Sequence, residues 1–254
     1  PKLHRTTQGG IHFVNGQPLS QTSFAQDALN PLQDDFLPTL LARQTDVPVA
    51  LWATDALPLQ PTIYVVDAAS EEELQHAAQW LKTKPVLAGS AGLAECLAAT
   101  MDEAATAVAL PEIALPLLVV NGSRHEVSLQ QIAAAVATGW PVMEVASTVT
   151  AAQISSLLAR QQCAIVTTAP HLHDEHFAAR VATLIQQTLA QTSVATLVVF
   201  GGDTLAAIAA ACGWNVFHPL TEWMPGVPLV RVGGQTELLL LTKAGGFGSL
   251  DLLS

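Results

Sequence analysis

Three short apolar runs in the second half of this 254-residue chain stop at glycines that sit beside hydroxyl or charged side chains. Leu117-Leu118-Val119-Val120 leads into Asn121-Gly122-Ser123-Arg124-His125. Thr196-Leu197-Val198-Val199-Phe200 leads into Gly201-Gly202-Asp203-Thr204, and Leu238-Leu239-Leu240-Leu241-Thr242 into Lys243-Ala244-Gly245-Gly246-Phe247-Gly248. Continuous apolar runs of this length suit strands buried on both faces, and glycine at their ends lets backbone approach a ligand closely. The second run is followed at once by a small-residue helix, Leu205 to Cys212, that stops at Gly213. Strand, glycine turn and helix start together present unpaired amides at the positive end of a helix dipole, a geometry suited to phosphate. A nucleotide is therefore the expected ligand. Neither Gly-x-x-x-x-Gly-Lys-Ser/Thr nor Gly-x-Gly-x-x-Gly after a strand occurs, so the common P-loop and dinucleotide signatures are absent.

The side chains around these turns have competing roles. Ser123, the neighbouring amides and Arg124 can all donate to a phosphate at the C-terminal end of a strand, where ligands of open α/β sheets lie; the alternative is an ordinary strand-to-helix loop. Asp203 either caps the helix that follows or meets Mg²⁺, directly or through water. Thr204 either donates its hydroxyl to phosphate or bonds to local backbone. Lys243 is either the charge set against a γ-phosphate or a solvated lysine at a strand end. Trp223-Met224-Pro225-Gly226-Val227-Pro228 is a stiff apolar turn, a wall for an adenine ring or a loop over the core. His171-Leu172-His173-Asp174-Glu175-His176 has spacing that can chelate a metal, but it follows Pro170 and precedes a helix whose first turn favours acids, so no metal site is assigned.

Bulk properties narrow the class. Half the residues are hydrophobic and only 12% are charged, with net charge −11 and ten Lys and Arg, which argues against nucleic acid as a partner. Cys96, Cys163 and Cys212 are far apart and lack Cys-x-x-Cys spacing, so neither disulfide framework nor zinc site is suggested, and a cytoplasmic location is expected. No uncharged apolar stretch is long enough to span a bilayer, so no membrane partner is expected.

These turns need a sheet to hold them. Ile11-His12-Phe13-Val14 before Asn15-Gly16 reads as a β-hairpin, and helical periodicity appears at Phe36, Leu37, Leu40 and Leu41. Strands follow at Val47 to Trp52 and Ile63 to Asp67, a capping box at Ser70-Glu71-Glu72-Glu73 opens a helix to about Leu81, and Val86-Leu87-Ala88 reads as a further buried strand before a helix from Gly89. Thr100 to Pro116 loses periodicity and serves as the expected linker. Alternation then restarts, with Ser128 expected to cap a helix to about Thr138, strands at Val142 to Val145 and Ala164 to Thr168, a helix over Phe177 to Ala190, and closing strands near Leu229 to Val232 and Leu238 to Thr242. The expected fold is α/β: two α/β domains with largely parallel sheets, residues 1–110 and 111–254, the C-terminal one a nucleotide-binding α/β sandwich.

In order and spacing these residues resemble the four-carbon acid sugar kinase family over essentially the whole chain. The resemblance is carried by Gly122-Ser123, Gly201-Gly202-Asp203-Thr204, Pro225-Gly226-Val227-Pro228 and the Lys-x-Gly-x-Phe-Gly closure at Lys243 to Gly248. Upstream it is carried by Arg5-Thr6-Thr7, by Asn15-Gly16 with Thr22 and Asp27, and by Gly89-Ser90-Ala91-Gly92-Leu93-Ala94. The chain departs from the pattern at Asp203, where Glu is usual, at Ala244 and Gly246, where Ser and Asn are frequent, and at Arg124-His125, where small polar residues are common.

The resemblance implies an ATP-dependent kinase, a phosphotransferase that acts on a terminal hydroxyl of a four-carbon sugar acid in carbohydrate metabolism. ATP and Mg²⁺ are the implied cofactors and the sugar acid is the small-molecule partner. It implies Ser123, Gly201, Gly202, Asp203, Thr204 and Gly245 as nucleotide contacts, with Gly122, Lys243, Gly246 and Gly226 as further phosphate or base contacts. Family members carry a longer N-terminal region with an Asp-Asp-x-Thr-Gly motif, so the resemblance places the catalytic aspartate upstream of this chain. Residues 1–110 are then the incomplete C-terminal part of the acid-sugar-binding domain, and the chain alone is expected to bind nucleotide weakly and turn over little. A homodimer is left open. The alternative is a non-catalytic module that binds a nucleotide or phosphorylated metabolite; an NAD-dependent oxidoreductase is disfavoured by the missing dinucleotide fingerprint.

Overall fold

The computed structural model describes residues 4–22, 25, 32, 34–52, 60–101, 111–145, 148–168, 177–234 and 238–253. The chain divides into two compact units, Pro1–Thr106 and Ala107–Ser254. Both are α/β. Of the expected linker, residues 102–110 lie outside the described residues.

The first unit opens with an antiparallel sheet of β1 (Arg5–Gln8), β2 (Ile11–Val14) and β3 (Gln17–Pro18). Asn15 and Gly16 turn β2 into β3 with φ of 52° and 76°, the left-handed pair that a tight hairpin requires. After helix α1 (Leu37–Ala42) come β4 (Val49–Leu51) and β5 (Ile63–Val65), paired in parallel, and helices α2 (Glu71–Leu81) and α3 (Ala91–Ala98). The Ser70 hydroxyl accepts from the Glu73 amide, but the Glu73 carboxylate reaches the amide of Ala69 rather than that of Ser70, so the capping box closes one residue early. Val86-Leu87-Ala88 forms no strand, and Val86 is 85% exposed. The apolar run predicts a buried strand, yet among the described residues it has no strand neighbour to pair with, and it lines an open cavity instead.

The second unit is a seven-stranded sheet in the order β10-β11-β12-β9-β6-β8-β7. Its parallel part is β12 (Leu239–Lys243), β9 (Thr196–Phe200), β6 (Leu117–Asn121), β8 (Cys163–Thr167) and β7 (Val142–Glu144). Strands β10 (Phe217–Met224) and β11 (Val227–Val232) extend it antiparallel, joined at Pro225-Gly226. Sequence patterning does not disclose β10, because an edge strand with Pro219, Thr221 and Glu222 and two register shifts lacks clean alternation.

Each central strand is buried on both sides. Leu118 and Val120 of β6 face one core with helices α5 (Ala151–Gln161), α6 (Phe177–Gln191) and α7 (Gly202–Cys212), represented by Ile154, Ile185 and Ile208. Leu117 and Val119 face the other core with helix α4 (Glu126–Ala137), represented by Ile132, and with Val227 and Leu252. Neighbouring strands β6 and β9 thus send their following helices, α4 and α7, to opposite faces. In an open α/β sheet, strand ends flanked by such a divergence are where ligands usually lie.

Candidate functional site

The parallel register brings the glycine turns level: Asn121 is paired with Phe200, and Phe200 with Lys243. Backbone bonds continue the ladder into the turns, with the Gly122 amide donating to the Phe200 carbonyl and the Gly201 amide to the Lys243 carbonyl, each at 2.9 Å. A Cβ on Gly122 would lie 1.9 Å from Thr204 Oγ1, one on Gly201 3.6 Å from the Ser123 amide nitrogen, and one on Gly245 2.5 Å from Ser123 Oγ. Ser123, Gly201, Thr204 and Gly245 therefore meet in one corner. Gly201, with φ of 108°, takes a backbone conformation that disfavours any side chain, and Gly202 opens α7 with nothing within 4 Å of its Cβ position. The amides of Gly122, Ser123 and Gly201 are already bonded to Phe200, Asn121 and Lys243, so the backbone donors left at this corner are those of the first turn of α7, where Gly202 leaves open space.

Asp203 is not the N-cap. The cap is Gly201, which makes no side-chain cap bond, and Asp203 is an exposed residue of the first helical turn. Its carboxylate stays near the positive end of α7, where it is favoured electrostatically without completing a capping bond. Thr204 is buried against Gly122.

Lys243 is not a solvated strand-end lysine. It is 2% exposed, its Nζ donates to Ser128 Oγ at 2.8 Å and to the Gly245 carbonyl at 3.0 Å, and it lies 4.2 Å from the centre of the Phe200 ring. Burial lowers its pKa from 10.5 to about 8. Ser128 in turn donates to the same Gly245 carbonyl at 2.8 Å. One turn further along α4, the Gln131 amide donates to the carbonyls of Phe247 at 3.2 Å and Ser249 at 2.8 Å. Helix α4 thereby holds the whole loop that follows β12. Gly226, with φ of 76°, lies under the Phe247 ring, since a Cβ there would be 2.4 Å from it, and Phe247 packs into the core shared with α4. The Pro225-Gly226 turn is thus tied to the same loop.

Several of these residues escape sequence reading. The sequence places the cap of α4 at Ser128, but the helix starts earlier, at Glu126, with His125 as N-cap: the Val127 amide donates to His125 Nδ1 at 3.2 Å. Imidazole is not among the usual capping groups, which hides this start. Asn121, fully buried at the end of β6, accepts the Ser123 amide at 3.0 Å and donates to Thr167 Oγ1 at 3.0 Å, fixing the first glycine turn. A lone amide closing an otherwise apolar run was the available signal. The His171 to His176 cluster lies outside the described residues, and among the described residues no group of three or more potential ligands gathers in a way that could hold a metal.

The first unit holds a cavity of about 1180 Å³ whose lining is mostly apolar and includes Arg5, Thr7, His12, Ser90 and Trp80. Trp52 packs on Tyr64 edge-on at 4.9 Å and against Trp80 at 4.1 Å. Thr7 Oγ1 is 3.1 Å from His12 Nδ1, and burial together with Arg5 lowers the His12 pKa. Both Arg5-Thr6-Thr7 of β1 and the start of α3, through Gly89, Ser90, Gly92 and Leu93, line this one cavity. Asp27 lies outside the described residues.

Residues 118–253 match the family model described as a nucleotide-binding C-terminal domain, and residues 1–97 the one described as a sugar-binding N-terminal domain. The chain belongs to the four-carbon acid sugar kinase family. Relatives include a D-threonate kinase of Bordetella bronchiseptica, 30% identical over 100% of this chain and 67% of its own length. A D-threonate kinase of Salmonella typhimurium LT2 is 28% identical over 98% of this chain and 69% of its own length. A 3-oxo-tetronate kinase of Methylobacterium radiotolerans is 29% identical over 99% and 70%. A solved Salmonella typhimurium LT2 structure shares the fold with a TM-score of 0.76 at 21% identity, over 98% of this chain and 68% of that one. A Haemophilus influenzae structure does so at 0.71 and 19%, over 98% and 69%. Within this family fold, the glycine corner lies in the segment matched as nucleotide-binding and the cavity in the segment matched as sugar-binding, apart from one another in sequence.

Proposed function

We propose that this chain acts as an ATP-dependent kinase of a four-carbon sugar acid, with ATP held in the glycine corner of the second unit. The observation that carries the reading is the convergence of Ser123, the Gly201–Thr204 turn and Gly245 on one corner at the ends of the adjacent strands β6, β9 and β12, whose helices α4 and α7 lie on opposite faces of the sheet. The corner fits a polyphosphate chemically: its donors are amides, hydroxyls and a helix N-terminus, and its glycines clear the space a phosphate needs. Asp203, the acid in the first turn of α7, would hold Mg²⁺ directly or through water, and the ion would supply charge neutralisation for the phosphates. Thr204 and Ser123 hydroxyls orient the phosphates, and the Lys243–Ser128 pair keeps Gly245 in position.

Transfer moves the γ-phosphoryl group to a hydroxyl oxygen of the acid, releasing ADP and the hydroxyl proton; most of the catalysis is positioning and charge stabilisation. The relatives named for D-threonate and 3-oxo-tetronate support a sugar acid as acceptor, and the Arg5-bearing cavity of the first unit offers a cation for its carboxylate. The test is calorimetric titration with Mg-ADP and Mg-ATP, followed by ADP-release assays with D-threonate, D-erythronate and 3-oxo-tetronates. Binding of adenine nucleotide with little ADP release is expected from this chain alone, and ADP release on one of these acids once a segment with the family's Asp-Asp-x-Thr-Gly motif is supplied. Nucleotide binding without transfer to any acid even then would favour the binding-module alternative, and no nucleotide binding would reject the reading.

A further inference from the structure

We propose that His125 is an additional nucleotide contact, its Nε2–H donating to a phosphate oxygen at the edge of the glycine corner. The inference rests on the nucleotide reading of that corner and adds a residue outside the nucleotide contacts carried by the family resemblance.

The tautomer follows from the cap. His125 Nδ1 accepts the Val127 amide, so its lone pair is engaged and the neutral ring carries its proton on Nε2. The ring's position is set from the other side. A Cβ on Gly245 would stand 2.6 Å from His125 Cβ, and one on Gly246 would stand 3.2 Å from Nε2 and 3.3 Å from Cε1. The imidazole thus lies between the start of α4 and the bare backbone of Gly245-Gly246; a side chain at Gly245 would collide with His125 Cβ, and one at Gly246 would press on the outer edge of the ring. Its backbone amide donates to Ser123 Oγ at 3.2 Å, which places His125 and Ser123 on one short loop beside Gly245. The residue is exposed, and Nε2 has no hydrogen-bond partner among the described residues.

Capping alone does not account for this arrangement. Asn, Asp or Ser caps a helix at least as well and needs no ring-sized clearance in a second loop. A ring whose inner nitrogen is locked and whose outer N–H is oriented and unused is suited to donate to a ligand anion without bringing a full charge.

His125→Asn separates the two roles, because Asn keeps a capping acceptor and loses the outer N–H. The experiment measures Mg-ADP and adenosine affinity of the parent, His125→Asn and Gly246→Ala proteins by calorimetry, with melting temperatures of the free proteins alongside. The expected result is an ADP Kd raised about tenfold in His125→Asn, the loss of one hydrogen bond, with adenosine affinity and the free melting temperature unchanged. Gly246→Ala, which pushes on the ring, should weaken ADP in the same direction while His125 remains present. Unchanged ADP affinity in His125→Asn overturns the proposal while leaving the nucleotide reading intact; an equal loss for adenosine overturns the phosphate assignment; and absence of ADP binding in the parent removes both.

Discussion

Replacing Gly122 with alanine puts the account under the sharpest strain. The added Cβ would stand 1.9 Å from Thr204 Oγ1, 2.9 Å from Thr204 Cβ and 3.2 Å from its Cγ2. Rotating the threonine moves Oγ1 out of the way but brings another substituent round, and the Cβ contact is unaffected. Thr204 is 3% exposed, so the first turn of α7 or the end of β6 must give way. Overpacking of this kind costs roughly 1–3 kcal/mol. In a unit of this size that lowers the melting temperature by roughly 2–12 °C. The nucleotide effect is separate. If Thr204 donates to a phosphate, its displacement removes a charge-assisted bond of about 1.5–3 kcal/mol, which is roughly 10- to 150-fold in Kd for Mg-ADP. Thr204→Ala supplies the control. It removes Oγ1 and Cγ2, so Gly122→Ala/Thr204→Ala should regain much of the stability lost by Gly122→Ala, a coupling of about 0.5–3 kcal/mol, and none of the affinity. Urea unfolding and calorimetric titration of the parent and the three variants measure both quantities. A Gly122→Ala protein with parental stability and parental ADP affinity would refute the packing of these two turns against each other.

Lys243→Met tests the buried ammonium through pH. The folded pKa of about 8 lies below the unfolded 10.5, so between those values the unfolded chain binds more protons and the lysine's contribution to stability rises with pH. Urea midpoints should therefore shift in favour of the parent relative to Lys243→Met as pH is raised through that window; a pH-independent difference would contradict it. Gly226→Ala forces a side chain into φ of 76° and against the Phe247 ring at 2.4 Å, so it should destabilise the protein by roughly 2 kcal/mol or more in the same assay. A change within about 0.5 kcal/mol, the usual range for surface substitutions, would contradict the placement of Phe247 on that turn.

What the sequence discloses here is what short-range physics controls. Runs such as Leu117 to Val120 and Thr196 to Phe200 read as buried strands from their length and the glycines that end them, and those glycines mark the turns. The partners of those turns are another matter. Ser128 looks like a helix cap by local rule, yet its hydroxyl is used by the Gly245 carbonyl, a group 117 residues away. For Lys243 the sequence leaves open a phosphate partner or a solvated strand end, and neither reading discloses that α4 lies over β12, burying the lysine and offering Ser128 to its ammonium. Val86 errs the other way: its apolar neighbours suggest burial, but no described strand lies alongside to provide it. Local pattern finds the backbone elements and the phosphate-like turns, whereas the polar groups that brace them depend on contacts between segments far apart in the chain.

Nucleotide is proposed to bind in the glycine corner at the ends of β6, β9 and β12, and a crystal structure of this chain with Mg-ADP tests that placement. Diphosphate density is expected within hydrogen-bond distance of Ser123, the Gly202–Thr204 amides and Gly245. Nucleotide bound elsewhere, for example against Trp52 and Trp80 in the cavity of the first unit, with the glycine corner making no contact to it, would contradict it.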